Sequence, residues 1–196
     1  FRSKHDWLGD RPLALYCGTL GRVNDATYIV RLAAEALKVR PDYRFLVVGD
    51  GSERDSIMLA AESSGVLRRN FFMFERRSKD DLPDLYSAAT VALSTVAPVE
   101  ALWANSANKV FDALAAGKPV AINHLGWQAD LLQASGAGVV LDPADMSSAL
   151  ARLSTLMDDP EQAERAGSQA RRLATDRFAR DIHGAQLADL LEQSVL

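Results

Sequence analysis

Asn105, Asn108, Lys109 and Asp112 stand at helical spacings just ahead of an apolar strand, and their types suit the chemistry of anion binding. A helix through this stretch would bring all four to one side. Val110, Phe111 and Leu114 then turn toward a core. Gly117 supplies a helix stop, and Pro119 prevents the helix from resuming. The unpaired N–H groups of a first helical turn, together with the helix dipole, favour phosphate. Lys109 would add a full positive charge. A solvated helix N-terminus could carry the same residues idly. The buried strand just before this helix favours the functional reading.

The loops after the other strands offer further candidates. Gly18-Thr19-Leu20-Gly21-Arg22-Val23-Asn24 suits either an anion cradle, because glycine lets backbone N–H groups approach a phosphate, or a tight turn. Gly49-Asp50-Gly51 is either a structural turn or a ligand contact. It is no dinucleotide fingerprint, since Arg54 stands where the third glycine would be. Arg76 and Arg77 could face a phosphate or a base, or simply be solvated. His124 follows the fifth strand at the same edge, and Glu100 lies in an Ala-, Pro- and Trp-bearing loop that could cover a sugar. The single cysteine, Cys17, excludes an internal disulfide and reads as a buried structural thiol. No Ser/His/Asp, Cys/His or metal-ligand pattern emerges.

The elements that must position these groups alternate along the chain. Apolar strands are expected at 13–17, 44–48, 70–74, 91–93, 120–122 and 138–141. Helices are expected at 24–39, after a Ser52 cap boxed with Asp55, at 80–89, along the Asn105 stretch, and at 127–134. From Asp145 onward the pattern is helical only, over 146–157, 161–175 and 180–195. Continuous apolar strands alternating with helices imply an α/β, doubly wound parallel sheet of about six strands, Rossmann-like, with helices on both faces and a helical C-terminal segment. In such a sheet the ligand lies at the carboxyl ends of the strands, where the strand order reverses. Residues 1–12 read as a tail or linker.

Composition narrows the class. The chain has 196 residues, 48% of them hydrophobic, which suits one domain with a substantial core. A net charge of −4 argues against a broad nucleic-acid footprint. No segment is long enough to span a membrane and no signal peptide is visible, so a cytoplasmic location is expected. The first residue is Phe1, which leads us to expect part of a longer protein.

Gly18 to Asn24, Val47-Val48-Gly49-Asp50-Gly51, Asp81 to Tyr86 and Asn105 to Pro119 occur in the order seen in family-4 (group 1) retaining glycosyltransferases. The similarity runs from Leu13 to about Phe178 and includes Asp158-Asp159-Pro160 and the Gly167, Arg171 and Phe178 pattern. The chain resembles the C-terminal, nucleotide-sugar-binding half of a GT-B enzyme. That resemblance implies a donor domain over 13–178, a C-terminal helix of the same domain over 179–196, and an acceptor-binding N-terminal domain that is absent. It implies that the diphosphate cradle is Gly18, Thr19 and Gly21 with the amides of Ser106, Asn108 and Lys109. It places the base near Arg76 and Arg77 and the ribose hydroxyls on Asp112, with Asn24 and Gly49 also at the donor. It implies that donor binding needs no metal or other cofactor. The Ser106-Ala107-Asn108-Lys109-Val110-Phe111-Asp112 version resembles a subgroup that works on O-antigen, capsule or lipopolysaccharide, several of whose members use UDP-linked N-acetylated amino or deoxyamino sugars. Acceptors there are glycans or lipid-linked sugars, which implies a peripheral place at the inner membrane face for the intact enzyme.

This sequence also departs from the family. Where the family has an E-x7-E pair, Ala104 and Asp112 stand here. Where it has an Arg and a Lys after the first strand, Thr19 and Asn24 stand here, so Lys109 is expected to supply the cation. No catalytic base is assigned, and the chain alone is expected to lack turnover. Two other classes share this pattern of elements: a nicotinamide-dependent oxidoreductase half, whose glycine fingerprint is missing here, and a non-enzymatic docking domain.

Overall fold

The computed structural model describes residues 1–194. Val195, where the last helix was expected to end, lies outside them. Six strands form one sheet: β1 Leu13–Cys17, β2 Arg44–Val48, β3 Phe71–Phe74, β4 Val91–Ser94, β5 Val120–Ile122 and β6 Gly138–Val140. Their order is β3-β2-β1-β4-β5-β6, and every neighbouring pair is parallel. The doubly wound expectation therefore holds. The chain winds outward in both directions from the β1–β4 boundary, and in sheets of this kind ligands bind at the carboxyl edge beside that reversal.

Among the described residues, eight α-helices connect and cover the strands: α1 Thr27–Val39, α2 Arg54–Ser63, α3 Leu82–Ala88, α4 Asn108–Ala115, α5 Trp127–Ser135, α6 Met146–Met157, α7 Pro160–Arg177 and α8 Arg180–Ser194. Strand alternation sorts the core into two layers. Ala14, Tyr16, Phe45, Val47 and Leu93 pack with α1, α2 and α6. Leu13, Leu15, Leu46, Val48, Val120 and Ile122 pack with α3, α4 and α5, against which Ala170 of α7 also closes. Gly117 ends α4 as its composition foretells, with φ of 66° and its N–H on the Leu114 carbonyl.

Two local expectations fail for identifiable reasons. Ser52 does not cap a helix: α2 begins at Arg54, preceded by Glu53 with no side-chain cap, because Gly51 and Ser52 are used in the turn. The capping box forms instead between Ser78 and Asp81, ahead of α3. Residues 1–12 lie against the sheet. Trp7 stacks on Phe72 with ring centres 3.8 Å apart, and Leu8 is fully buried. Arg2 donates to the Ala88 carbonyl at 2.7 Å, and buried Arg44 donates to the Trp7 carbonyl at 2.8 Å. Among the described residues, no helix is long and apolar enough to cross a membrane.

Candidate functional site

A cavity of about 530 Å³ opens at the carboxyl ends of β1 and β2. Of the residues singled out from the sequence, Gly18, Thr19, Gly49, Arg76, Arg77 and Asp112 line it. Its floor is made of loops locked backbone to backbone. The Gly18 N–H donates to the Val48 carbonyl at 3.0 Å, the Leu20 N–H to the Asp50 carbonyl at 2.9 Å, and the Glu53 N–H to the Leu20 carbonyl at 2.9 Å. A Cβ on Gly49 would sit 1.9 Å from the Gly18 carbonyl oxygen. Gly49 is thus demanded by packing, which accounts for the structural-turn reading, and it lines the cavity as well. Arg76 and Arg77 stand exposed on the rim, with Arg77 over the Phe74 ring at 6.0 Å.

The helix behind this cavity starts later than its polar spacing suggests. α4 opens at Asn108, so Asn105 lies in the preceding loop and does not share its face. Ser106 is exposed in that loop. The residue at the cap position is Ala107, and no side chain caps the helix. The Val110 N–H donates to the Ala107 carbonyl at 3.0 Å, and no side chain takes up the N–H groups of Asn108 and Lys109. Asn108 is exposed and faces an adjoining groove of about 1150 Å³, lined also by Tyr86, Phe111 and Phe178, which shares Lys79, Leu82 and Asp112 with the first cavity. Val110 and Leu114 are buried as expected, while Phe111 is half-buried against Trp127 and Phe178.

Lys109 takes a different route. Its stem crosses the carboxyl end of β1 so closely that a Cβ on Gly18 would lie 2.9 Å from its Cε. The ammonium does not line the cavity; it donates to Asn24 Oδ1 at 3.1 Å and sits 5.3 Å from the Tyr16 ring centre. Burial lowers its pKa from the usual lysine value to about 8. No carboxylate lies within ion-pair distance of it among the described residues. Asp112, one turn along, has its pKa raised by partial burial and pulled back by the Lys79 charge. Gly21 stays out of the cavity and precedes the short 3-10 turn Arg22–Asn24, accepting from the Asn24 N–H at 2.9 Å.

The neighbouring groups were less legible. Tyr16 faces the core, yet its hydroxyl donates to the Thr19 carbonyl at 2.8 Å and shapes the turn. Lys79 and Leu82 complete the cavity wall. Cys17, read as a buried thiol, is half-buried on that wall and pushed up to about 12, first by burial and then by Asp112, so it stays protonated. His124 is 3% exposed and lines a further cavity of about 610 Å³ beside Trp103. Its Nδ1 lies 2.8 Å from the Leu125 carbonyl, which can only accept, so the ring proton is on Nδ1. Its Nε2 is buried without a hydrogen-bond partner. Burial lowers its pKa, opposed by the Leu125 bond and aided by the Lys109 charge, so the ring is neutral at pH 7. No group of three or more His, Cys, Asp or Glu could hold a metal ion among the described residues.

Proteins of known kind resemble this chain in sequence or in fold. The α-D-kanosaminyltransferase of Streptomyces kanamyceticus is 23% identical over 189 residues, which is 95% of this chain and 47% of that protein. The fold of sucrose-phosphate synthase from Thermosynechococcus elongatus superposes with a TM-score of 0.83 at 21% identity, covering 95% of this chain and 46% of that one. The Anabaena protein HepE, solved in complex with UDP and glucose, superposes with a TM-score of 0.81 at 19% identity, covering 95% and 49%. This chain spans less than half the length of the curated relatives it matches. The profile of the glycosyl transferases group 1 family matches residues 1–173, and the chain belongs to that family.

Proposed function

We propose that this chain is the donor-binding half of a retaining glycosyltransferase and takes a nucleoside-diphosphate sugar, with UDP as the nucleotide. The observation that carries the reading is Lys109: a half-buried ammonium with no carboxylate in ion-pair reach among the described residues, beside a helix start that no side chain caps, at the sheet edge where the strand order reverses. Such a place is stabilised by an anion. The adjoining cavity is of the size that small ligands occupy, and Asp112, which lines it, accepts from the ribose hydroxyls in this reading. UDP is supported by HepE, which is solved with UDP and glucose.

In the reaction, negative charge builds on the leaving diphosphate. A preorganised set of donors there lowers the barrier. Lys109, the amides at the start of α4 and the Gly18 turn are the donors of this half. Donor binding proceeds without metal in this reading. The acceptor, a glycan or lipid-linked sugar, is held by a second domain, and the chain alone does not turn over. Work on a surface polysaccharide, at the cytoplasmic face of the inner membrane, is supported by the Ser106 to Asp112 motif.

The test is calorimetric titration of the chain with UDP, GDP and NAD without added metal. Micromolar UDP binding is expected, weakened about tenfold or more by Lys109→Ala, the loss of one charge-assisted hydrogen bond. Asp112→Ala should weaken it as well. A preference for GDP would change the donor; NAD as the sole ligand would overturn the reading.

A further inference from the structure

The polar groups around Lys109 form a chain with no anion in it. Asn24, which receives the ammonium, is held in a loop fixed from several sides. The Thr95 hydroxyl donates to the Asn24 carbonyl, and the Ala97 N–H donates to the Val23 carbonyl at 2.8 Å. Asn123 clamps the facing loop, accepting from the Val96 N–H at 2.8 Å and donating to the Val96 carbonyl at 3.0 Å.

The titratable groups that face Lys109 come from four elements. Tyr16 and Cys17 on β1 stay protonated, both pushed upward chiefly by burial. Tyr86 on α3 approaches the Lys109 carbonyl at 3.5 Å and is likewise raised by burial. His124, after β5, is neutral. Asp112, on the same helix, is influenced by Lys79 and makes no ion pair with Lys109 among the described residues. An amide oxygen orients an ammonium but cannot neutralise it.

We propose that Asn24 is a positioning residue that holds Lys109 free of a counterion at the phosphate subsite, so that arrival of a nucleoside diphosphate is coupled to uptake of a proton by Lys109. The inference rests on the donor-site reading above. The proton comes from solvent and no covalent bond forms. With Lys109 lowered to about 8, about half of the unliganded chains lack that proton at pH 8. The two negative charges of a bound diphosphate diester favour the charged form. Affinity is then level below pH 8 and falls as pH rises above it.

UDP-glucose is the probe, because its diphosphate has no proton to lose near pH 8. Calorimetry at pH 8 in HEPES and in Tris, whose ionisation heats differ, counts the protons. About half a proton per ligand is expected for the native chain. Asn24→Asp, nearly isosteric, gives Lys109 an internal counterion; it should abolish the uptake and weaken binding about tenfold or more. Lys109→Arg, whose charge does not titrate here, should bind UDP-glucose with no uptake, and it keeps the test standing if Asn24→Asp fails to fold. Native binding with no dependence on buffer overturns the coupling and leaves the donor site intact. Unchanged uptake in Asn24→Asp makes Asn24 a merely structural residue and overturns the proposal. Absence of any UDP-glucose binding overturns the donor-site reading, and this inference with it.

Discussion

A lysine kept charged among Tyr16, Gly18 and Asn24 costs the fold stability that only a ligand returns. In the unfolded chain Lys109 holds its proton up to the ordinary lysine range, whereas the folded chain releases it near 8. Below pH 8 both states are charged and the penalty is fully present. It shrinks as pH rises from 8 toward 10.5, where the unfolded chain binds more protons, and vanishes once both states are neutral. Lys109→Met, which keeps the stem and drops the charge, should therefore stabilise the unliganded protein at pH 7 by about 2 kcal/mol. Denaturant unfolding at pH 7 and pH 9.5 checks this: the gain should be smaller at the higher pH. An unchanged or lowered stability would mean that the ammonium is better solvated than its surroundings imply. At this scale Asp112 and Gly18 were readable because spacing and glycine chemistry are local. Asn105 was misplaced because the cap position is filled by Ala107, a residue that gives no boundary signal, so the start of α4 is set by tertiary packing. Tyr16 was hidden because its strand parity assigns it to the core, and only the fold shows where its hydroxyl ends.

Among elements, the six strands were legible because each is an apolar run closed by glycine or a polar turn, and burial on both faces leaves no other use for such runs. The short turns between them were less so. Whether Gly49-Asp50-Gly51 served a ligand or a turn could not be read from spacing, because the reason for Gly49 lies in a different loop, at the Gly18 carbonyl. That contact gives a prediction. Gly49→Ala sets a methyl group against backbone that cannot rotate away, so the variant should lose about 1–3 kcal/mol or more. UDP binding should weaken in parallel, because the Gly18 turn must shift. Thermal unfolding and titration of the same preparation would show both, and a variant of native stability would show that the two loops move apart freely.

For the whole molecule, the opening dozen residues carry the clearest departure from what composition suggests. They are polar and lack a periodic pattern, yet Trp7, Leu8 and Arg2 fasten them across β2, β3 and the end of α3. Such a role depends on a groove supplied by distant strands, which no local pattern announces. Trp7→Ala should lower stability by about 2 kcal/mol, less than for a fully buried indole, and leave UDP affinity near native because Trp7 does not line the cavity. Loss of affinity together with stability would tie this segment to the site.

The interlocked loops after β1 and β2 meet through main-chain groups, with carbonyls and N–H groups of Gly18, Leu20, Asp50 and Glu53 making the joins. A joint of that kind constrains length and glycine placement and leaves most side chains unspecified. Thr19 can then be exchanged for residues of other charge without displacing the frame, and Asp50 for Asn or Ser, which can still accept the Gly51 N–H as the Asp50 carboxylate does at 2.8 Å, whereas a one-residue deletion in either loop would undo both. A lineage built on such a frame can change what it recognises by substitution alone, and a mutant library confined to those two positions should return folded proteins at high frequency.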